Sequence, residues 1–306
     1  MPSSAARWTA ADLPDLSRRT IVVTGASSGL GAITARELAR AGAHVVLAVR
    51  DVAKGEGVAA PFEGSWEVRE LDLASLASVR AFAAGWSGPL DVLINNAGIM
   101  GVPQAKTADG FEAQIGTNHL GHFALTNLLL KHIADRVVTL SSGAHRIGKI
   151  QLEDVNWERR RYDRWRVYGQ TKLANLLFTK ELQRRLEEAG SDVRALAAHP
   201  GYARTHLQSH TGSRVQHVLM AGVGNRLLAQ SDEMGALPTL YAATQDLPGD
   251  TFVGPDGFLE QRGYPTTVGR SKAAQDADVA RRLWTLSEEL TGVGFGLADV
   301  QSPSPV

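Results

Sequence analysis

The fold is decided by residues 20–31, TIVVTGASSGLG, where a short apolar run meets a turn of small residues and a helix begins. Residues 20–23 have the length and β-branched composition of a buried strand. Beyond the turn, apolar side chains recur at helical spacing until Gly42, a residue type that commonly ends helices. The stretch therefore predicts a strand, a tight turn and a helix in direct succession.

The turn itself has the spacing GxxxGxG. Glycines allow the backbone to turn sharply and to approach a ligand, while free N–H groups and the dipole at a helix start favour an anion such as a pyrophosphate. A tight strand-to-helix turn with no ligand is the alternative. The position between the first strand and the first helix favours a dinucleotide. Its contacts are expected at Gly25, Ser27, Ser28, Gly29, Leu30 and Gly31.

The same alternation of apolar strands and helices continues to about residue 199. Strands that read as continuous apolar runs, joined by helices, indicate a parallel sheet covered on both faces. We therefore predict an α/β fold, a Rossmann-type doubly wound parallel sheet in three α/β/α layers. Further strands are predicted over 44–49, 66–71, 91–94, 137–140 and 192–198, and long helices over 109–132 and 168–189.

The C-terminal third has a weaker pattern. We expect residues 205–230 to form a lid or substrate loop, because Gly and His interrupt their helical periodicity. No linker separates two domains, so one domain is predicted over 20–306, with an extension at 1–19 and a second substrate loop at 143–167. A helix, a last strand and a terminal amphipathic helix are predicted at 232–244, 257–259 and 276–290.

Composition excludes several classes of protein. Without cysteine, the chain has no disulfide or iron–sulfur cluster and suits a reducing cytosol. The 32 basic and 32 acidic side chains leave no net charge, which argues against nucleic acid as a partner. The histidines lack carboxylates at ligand spacing, so no metal site is predicted. The sequence has neither a long apolar run nor a secretory signal. We therefore expect a cytoplasmic protein with no membrane anchor.

The second predicted strand leads into Arg50 and Asp51, at the place where dinucleotide-binding folds read the adenosine ribose. An acidic residue there accepts hydrogen bonds from the ribose 2′-hydroxyl, whereas an arginine binds a 2′-phosphate. Arg50 therefore favours NADP over NAD as the cofactor. A solvated Arg50–Asp51 pair with no ligand is the alternative.

A third feature is the run Tyr-Gly-Gln-Thr-Lys at 168–172. A four-residue step places Tyr168 and Lys172 on one helix face, where an ammonium can lower the pKa of a phenol from about 10. The pair alone is weak evidence, because many sequences contain it by chance. Ser141 and Ser142 close the fifth predicted strand, where open α/β sheets carry catalytic groups.

Five motifs thus follow one another in a fixed order: TGASSGLG at 24–31, NNAG at 95–98, Ser142, YGQTK at 168–172 and HPG at 199–201. Together they resemble the short-chain dehydrogenase/reductase family. The surrounding sequence is similar to the retinol dehydrogenase and protochlorophyllide reductase-like branch. The resemblance implies an oxidoreductase that transfers hydride between NADP and a small alcohol, ketone or aldehyde. It also implies a homodimer or homotetramer that forms through the two long helices.

The resemblance assigns roles to four residues. Tyr168 would donate the proton to a carbonyl, or accept it from an alcohol. Lys172 would lower the Tyr168 pKa and hold the nicotinamide ribose, and Ser142 would bind the substrate oxygen. Asn118 would anchor a water that relays protons to Lys172. Cofactor contacts are implied at Asp72, Leu73, Asn95, Asn96, Ala97, Gly98, Tyr168, Lys172, Pro200, Gly201 and Thr205.

Three departures qualify the resemblance. Thr171 stands where the family usually has serine, which keeps the hydroxyl. The segment between Ser142 and Tyr168 is longer than usual, as it also is in the retinol dehydrogenase-like branch. The membrane anchor of vertebrate members has no counterpart, so retinoid specificity is not implied. Light-driven reduction of protochlorophyllide is not expected either, because that group's cysteines are absent.

Two alternatives stay open. Residues 157–166 interleave five arginines with aromatic side chains, for which we expect a solvated basic face, with recognition of an acidic substrate as the alternative. For the whole chain, the alternative to an enzyme is a non-catalytic relative that senses NADP or binds a partner. The enzyme is favoured because Ser142, Tyr168, Lys172 and Asn118 are all present.

Overall fold

The computed structural model describes residues 7–202 and 231–298, and within them the strands form one sheet. The strands are β1 (Thr20–Thr24), β2 (His44–Val49), β3 (Ser65–Glu70), β4 (Leu90–Asn95), β5 (Ile133–Leu140), β6 (Arg194–Ala198), β7 (Phe252–Pro255) and β8 (Pro265–Thr267). Their order is β3-β2-β1-β4-β5-β6-β7-β8. Neighbours run parallel as far as β7, and β8 pairs antiparallel with β7.

Helices flank both faces of this sheet. They are α1 (Gly29–Arg40), α2 (Val52–Ala59), α3 (Leu76–Ala84), α4 in three parts (Ala113–Ile115, a π-helical turn Gly116–Leu120, and Gly121–Leu129), α5 (Arg164–Glu188), α6 (Asp232–Thr244) and α7 (Ala277–Thr291). Within the described ranges, no helix combines the length and the apolar character needed to cross a bilayer.

Alternate side chains of β1 pack into opposite layers, as a sheet covered on both faces requires. Val22 belongs to one apolar cluster, with residues of α3, α4, α5 and α7. Ile21 and Val23 belong to the other, with residues of α1 and α6. All three are fully buried. The predicted doubly wound α/β class is therefore confirmed.

The helix predicted over 109–132 is wrong in its extent and its regularity. It begins only at Ala113, because the Glu112 side chain caps it by accepting hydrogen bonds from the N–H groups of Gln114 and Ile115, over 3.0 and 2.8 Å. The π-helical turn interrupts it, and a 3₁₀ turn over Leu130–His132 leads into β5. An apolar pattern does not record these changes of helical pitch.

Helix α5 starts earlier than its apolar pattern indicates. Asp163 provides the N-cap, with its Oδ1 accepting hydrogen bonds from the N–H groups of Trp165 and Arg166, over 3.0 and 3.2 Å. The predicted start at 168 is therefore one helical turn too late. As a result, Tyr168 lies inside the helix instead of at its frayed first turn.

The strand predicted near 257–259 is also wrong. A 3₁₀ turn occupies Phe258–Glu260, and β7 and β8 lie on either side of it as a hairpin. Phe258 and Leu259 are 83% and 70% exposed, whereas Phe252 of β7 is 1% exposed. Apolar character alone cannot distinguish residues that pair with β6 from residues at the tip of the hairpin.

Helix α7 packs across α4 and α5. The ring of Trp284, which is 2% exposed, lies 4.9 Å from the ring of Phe123 on α4 and 5.7 Å from that of Phe178 on α5, between centroids. The guanidinium of Arg185 covers the same ring at 4.6 Å. The resemblance implies that subunits meet through α4 and α5, and here a helix of the same chain covers them at this point.

We expect Trp284→Ala to lower the free energy of unfolding by about 3–5 kcal/mol, the usual cost of deleting a large buried aromatic side chain. Urea denaturation followed by circular dichroism measures the change. Arg282→Ala is the matched control on α7, because its side chain is 64% exposed, and its effect should stay within about 0.5 kcal/mol. Equal effects of the two substitutions would contradict the packing described for α7.

Candidate active site

The segments that carry the predicted site follow β1, β4, β5 and β6 directly. Because these strands are parallel and adjacent in the sheet, their carboxyl ends meet at one edge. Between β1 and β4 the strand order reverses direction, which leaves a crevice at that edge. The structure therefore gathers residues 25–28, 96–98, 141–142 and 199–201 around one cleft.

Glycine shapes the turn after β1. Gly25 and Gly29 have φ angles of +68° and +55°, in the left-handed region that favours glycine. A Cβ added to Gly25 would lie 2.8 Å from the Cβ of Ala97, and one added to Gly31 would collide with the Asn96 amide. The turn can therefore lie directly against the loop after β4 only with glycine at these positions.

Thr24 binds that same loop. Its hydroxyl oxygen accepts hydrogen bonds from the N–H groups of Asn96 and Ala97, each over 2.9 Å, and Asn96 Nδ2 donates to the Thr24 carbonyl over 2.7 Å. The Asn95 side chain differs, since it is 1% exposed and donates to threonine hydroxyls on α4 and β5. Asn96 and Ala97 thus border the cleft, whereas the Asn95 side chain lies inside the protein.

The start of α1 fits an anionic ligand. Ser28 stands at the N-cap with an extended backbone, and its side chain makes no capping hydrogen bond with any residue that the structure describes. The first N–H groups of the helix therefore keep their capacity to bind an anion, which the helix dipole also favours. Together with the close approach at Gly25, this donor set fits the pyrophosphate of a dinucleotide.

The end of β2 presents a free cation. Asp51 caps α2 by accepting a hydrogen bond from the N–H of Lys54 over 3.0 Å. Arg50 is exposed and has neither a hydrogen bond nor an ion pair within residues 7–202 and 231–298. The Arg50–Asp51 pair considered from the sequence does not form.

Beyond β3, Asp72 is half-buried and Leu73 is 6% exposed.

Tyr168, Lys172 and Ser142 come together where α5 crosses the end of β5. The Ser142 hydroxyl lies close enough to the Tyr168 phenol to lower its pKa. Lys172 Nζ donates to the Leu140 carbonyl over 3.0 Å and lies 5.7 Å from the centroid of the Tyr168 ring. Ser141 donates its hydroxyl to the Lys172 carbonyl over 2.8 Å, so Ser142 is the serine that faces Tyr168.

Burial controls the ionisation of this cluster. It raises the pKa of Tyr168 to about 12, against the smaller opposing effect of the Ser142 hydroxyl, and it lowers the pKa of Lys172 to about 8. The structure thus differs from the expectation that Lys172 lowers the Tyr168 pKa. The reason is that burial disfavours the charged phenolate more than its neighbours stabilise it. At pH 7 Tyr168 is a neutral phenol that can donate a proton.

Asn118 lies in the π-helical turn of α4, a distortion that is frequent at functional sites. Its Oδ1 accepts a hydrogen bond from the Ile99 N–H over 2.8 Å, and its Nδ2 donates to the Ile99 carbonyl and to Thr171 Oγ1 over 2.9 and 3.1 Å. A Cβ added to Gly98 would lie 3.2 Å from Asn118 Oδ1 and 3.7 Å from Lys172 Nζ. Asn118 therefore joins the loop after β4 to the helix that carries Tyr168.

The segment after β6 completes the described part of the cleft. Gly201 has a φ angle of +67°, and its N–H donates to Nδ1 of His199 over 3.2 Å. Pro200 lies half-buried between them. Thr205 and the predicted substrate loop at 205–230 lie outside the described residues.

The sequence analysis did not identify His145, which supports Ser142. His145 is fully buried, and its Nδ1 lies 2.7 Å from the Ser142 carbonyl, while its Nε2 accepts a hydrogen bond from the Ser271 N–H over 3.2 Å. Because a carbonyl can only accept, Nδ1 carries the proton. The ring therefore fixes the backbone of Ser142 against the segment before α7. Its position three residues after Ser142 is the only sequence signal for this role.

The long segment before Tyr168 is attached to α5 through Gln170. Trp157 Nε1 donates to Gln170 Oε1 over 3.2 Å, and Gln170 Nε2 donates to the Val155 carbonyl over 2.9 Å. Arg160 stacks on the Trp157 ring at 3.8 Å and forms an ion pair with Asp154 at 2.9 Å. Arg160 thus belongs to the internal packing of this segment, in contrast to the solvated face expected for all five arginines.

Comparisons with known proteins agree with this arrangement. A family model described as short chain dehydrogenase matches residues 19–216. Human retinol dehydrogenase 12 is 48% identical over 291 residues, which cover 90% of this chain and 87% of the relative. For human retinol dehydrogenase 13 the identity is 44% over 293 residues, with 90% and 85% covered. The crystal structure of an uncharacterised protein from Mycobacterium Paratuberculosis has 60% identity and a TM-score of 0.84, and covers 94% of this chain and 99% of that chain.

The family match includes every strand from β1 to β6, and thus the whole sheet edge that carries the cleft. Proteins of this family bind NAD(P) and interconvert CH–OH and C=O groups. The chain therefore belongs to the short-chain dehydrogenase/reductase family of oxidoreductases and is similar to its retinol dehydrogenases.

Proposed function

We propose that this protein is an NADP-dependent oxidoreductase that interconverts an alcohol and a carbonyl compound, with Tyr168 as general acid and base. The observation that carries the proposal is the convergence of the Tyr168 and Ser142 hydroxyl groups beside the crevice, with Lys172 and Asn118 next to them. When bound, the cofactor supplies or accepts the hydride. The chain's own residues orient the substrate oxygen and handle its proton.

In the reductive direction, the hydroxyl groups of Ser142 and Tyr168 both donate hydrogen bonds to the substrate carbonyl oxygen. These donors polarise the carbonyl and stabilise the negative charge that develops on oxygen. Tyr168 then transfers its proton to that oxygen. Its high pKa supports this role, because the phenol is protonated at neutral pH.

Lys172 and Asn118 return a proton to Tyr168. With a pKa of about 8, Lys172 can lose and regain a proton near neutral pH, unlike an ordinary exposed lysine. Asn118 would anchor a relay water beside it, held in place by the bonds of its amide to Ile99 and Thr171. The nicotinamide ribose would lie against Lys172 and Tyr168.

The cofactor preference rests on Arg50. An exposed guanidinium with no internal partner among the described residues, at the end of β2, fits the 2′-phosphate of NADP. Asp51, the acidic residue that follows, has one carboxylate oxygen engaged in capping α2. The exposed guanidinium of Arg50 supports NADP over NAD.

A non-catalytic NADP sensor is the second candidate function. A sensor needs the dinucleotide turn but has no use for the hydroxyl pair or the adjacent lysine. Desolvating the buried Tyr168 and Lys172 is costly, and their retention beside Ser142 therefore favours an enzyme. The retinol dehydrogenases that this chain resembles make alcohols and aldehydes the first compounds to assay.

Tyr168→Phe should lower kcat/KM for carbonyl reduction by about 10²–10⁴, the usual contribution of a general acid. NADPH oxidation with a panel of aldehydes and ketones measures it. Tyr241→Phe is the control, because Tyr241 packs against Trp8, away from Tyr168 and Ser142, and should retain full activity. NADPH binding without turnover of any carbonyl or alcohol, in wild type and variant alike, would favour the sensor.

Alcohol oxidation should rise with pH, whereas carbonyl reduction should stay nearly constant between pH 6 and 8. Burial raises the Tyr168 pKa, so the phenolate needed for oxidation is scarce and increases about tenfold for each pH unit, while the phenol needed for reduction is already abundant. Profiles of kcat/KM in both directions test this. A rate of oxidation that falls with pH would contradict the role of Tyr168.

Arg50→Ala should reduce the preference for NADPH over NADH by about ten- to a hundredfold, the worth of a charge-assisted hydrogen bond. The ratio of kcat/KM for the two cofactors measures it. Arg36→Ala is the control. It removes an exposed arginine on α1, and it should leave the ratio unchanged. If Arg50→Ala also leaves it unchanged, another group selects the cofactor.

A further inference from the structure

His122 is a buried polar side chain that the proposed mechanism does not use. It lies on α4, is 1% exposed, and reaches two parts of the site. Its Nε2 lies 2.9 Å from the Thr24 hydroxyl, and its Nδ1 lies 3.1 Å from the Asn118 carbonyl. One ring thus connects the strand end before the dinucleotide turn with the π-helical turn that carries Asn118.

The partners fix the direction of each hydrogen bond. The Asn118 carbonyl can only accept, so Nδ1 of His122 carries a proton. The ring is neutral, because burial and, to a smaller extent, the charge of Lys172 lower the His122 pKa to about 3. Nε2 is therefore an acceptor, and the proton of the Thr24 hydroxyl must point to it.

Thr24 has the complementary requirement. Its hydroxyl oxygen already accepts the N–H groups of Asn96 and Ala97, so its own proton is left to donate. The other nearby acceptor, the Ile94 carbonyl, is more distant at 3.4 Å, against 2.9 Å for His122. The chain of bonds runs without interruption from the loop after β4, through Thr24 and His122, to Asn118.

We infer that His122 is a positioning residue, which holds the dinucleotide turn and the Asn118 turn in the relation that cofactor binding requires. The inference rests on the proposed function. His122 itself would contact neither substrate nor cofactor. Without Nε2, the Thr24 hydroxyl loses its nearer acceptor and is less firmly oriented toward the N–H groups of Asn96 and Ala97. Without Nδ1, the Asn118 carbonyl loses a donor.

A double-mutant cycle tests this connection by the Kd of NADPH, measured from its fluorescence without any turnover. Thr24→Val and His122→Leu should each raise the Kd by about tenfold or more. The double variant should bind clearly better than the product of the two single effects predicts, because both substitutions remove the Thr24–His122 bond. The inference would be overturned if the effects of the two single substitutions multiply in the double variant. It would also be overturned if His122→Leu leaves the Kd unchanged.

His119→Leu is the matched control. His119 is another buried neutral histidine in α4, but its Nε2 lies 2.9 Å from Ser287 of α7 instead of Thr24. Its substitution should lower the melting temperature, and its effect on the Kd of NADPH should multiply with that of Thr24→Val. If the effects of Thr24→Val and His119→Leu on the Kd of NADPH also fail to multiply, α4 is loosened in general. That result would overturn the specific role of His122.

Conservative variants separate position from bulk and serve if His122→Leu does not fold. His122→Gln offers an amide oxygen near the place of Nε2 and should recover most of the NADPH affinity. His122→Asn can donate to the Asn118 carbonyl but is too short to reach Thr24, so it should bind NADPH as weakly as Thr24→Val. Equal affinity of these two variants would overturn the inference.

The wild-type titration separates this inference from the proposed function. A wild-type protein that binds neither NADPH nor NADH would overturn the proposed function and this inference with it. A wild-type protein that binds NADPH, combined with multiplying effects of Thr24→Val and His122→Leu, would overturn the inference alone.

Discussion

The pairing of β4 with β1, instead of with β3, is the constraint on which the rest of the structure depends. It aligns Ile21 with Val92 and Val23 with Ile94, across about 70 residues of chain. From this pair the strand order runs outward in both directions, so the connections leave a crevice at the carboxyl edge. The dinucleotide turn and the loop of Asn96 lie against each other beside this crevice.

Burial determines the hydrogen bonding and the pKa values of the polar groups around this crevice. Thr24 and His122 are fully desolvated, and each is satisfied only by specific partners. A buried polar group without a partner is expensive, so such a network allows one arrangement and disfavours others. The same burial keeps Tyr168 protonated and brings the Lys172 pKa toward neutrality. Burial therefore determines both the arrangement of this network and the ionisation of Tyr168 and Lys172.

Much of the fold could be predicted from local sequence. Buried parallel strands are continuous apolar runs, so β1, β2 and β4 were recognisable within one or two residues. Glycine spacing identified the turn, because close backbone approach excludes side chains there. Tyr168 and Lys172 were recognisable because helical spacing puts them on one face and four other motifs accompany them in a fixed order.

Other features depend on contacts between distant parts of the chain, which local patterns do not contain. The last strand was misplaced because Phe252 and Phe258 are equally apolar, and only pairing with β6 distinguishes them. The start of α4 depends on the cap by Glu112, and the pKa of Tyr168 depends on burial beneath elements far away in sequence. His122 and His145 acquire their partners only in the folded chain.

We propose that NADP binds in this crevice, with its phosphates on the turn after β1 and its nicotinamide beside Tyr168. A crystal structure of the complex with NADP is the decisive measurement. In it we expect the pyrophosphate against Gly25 to Gly31, the 2′-phosphate on Arg50, and the nicotinamide ribose against Lys172. A dinucleotide bound away from the carboxyl ends of β1 and β4, or with its nicotinamide remote from Tyr168, would contradict it.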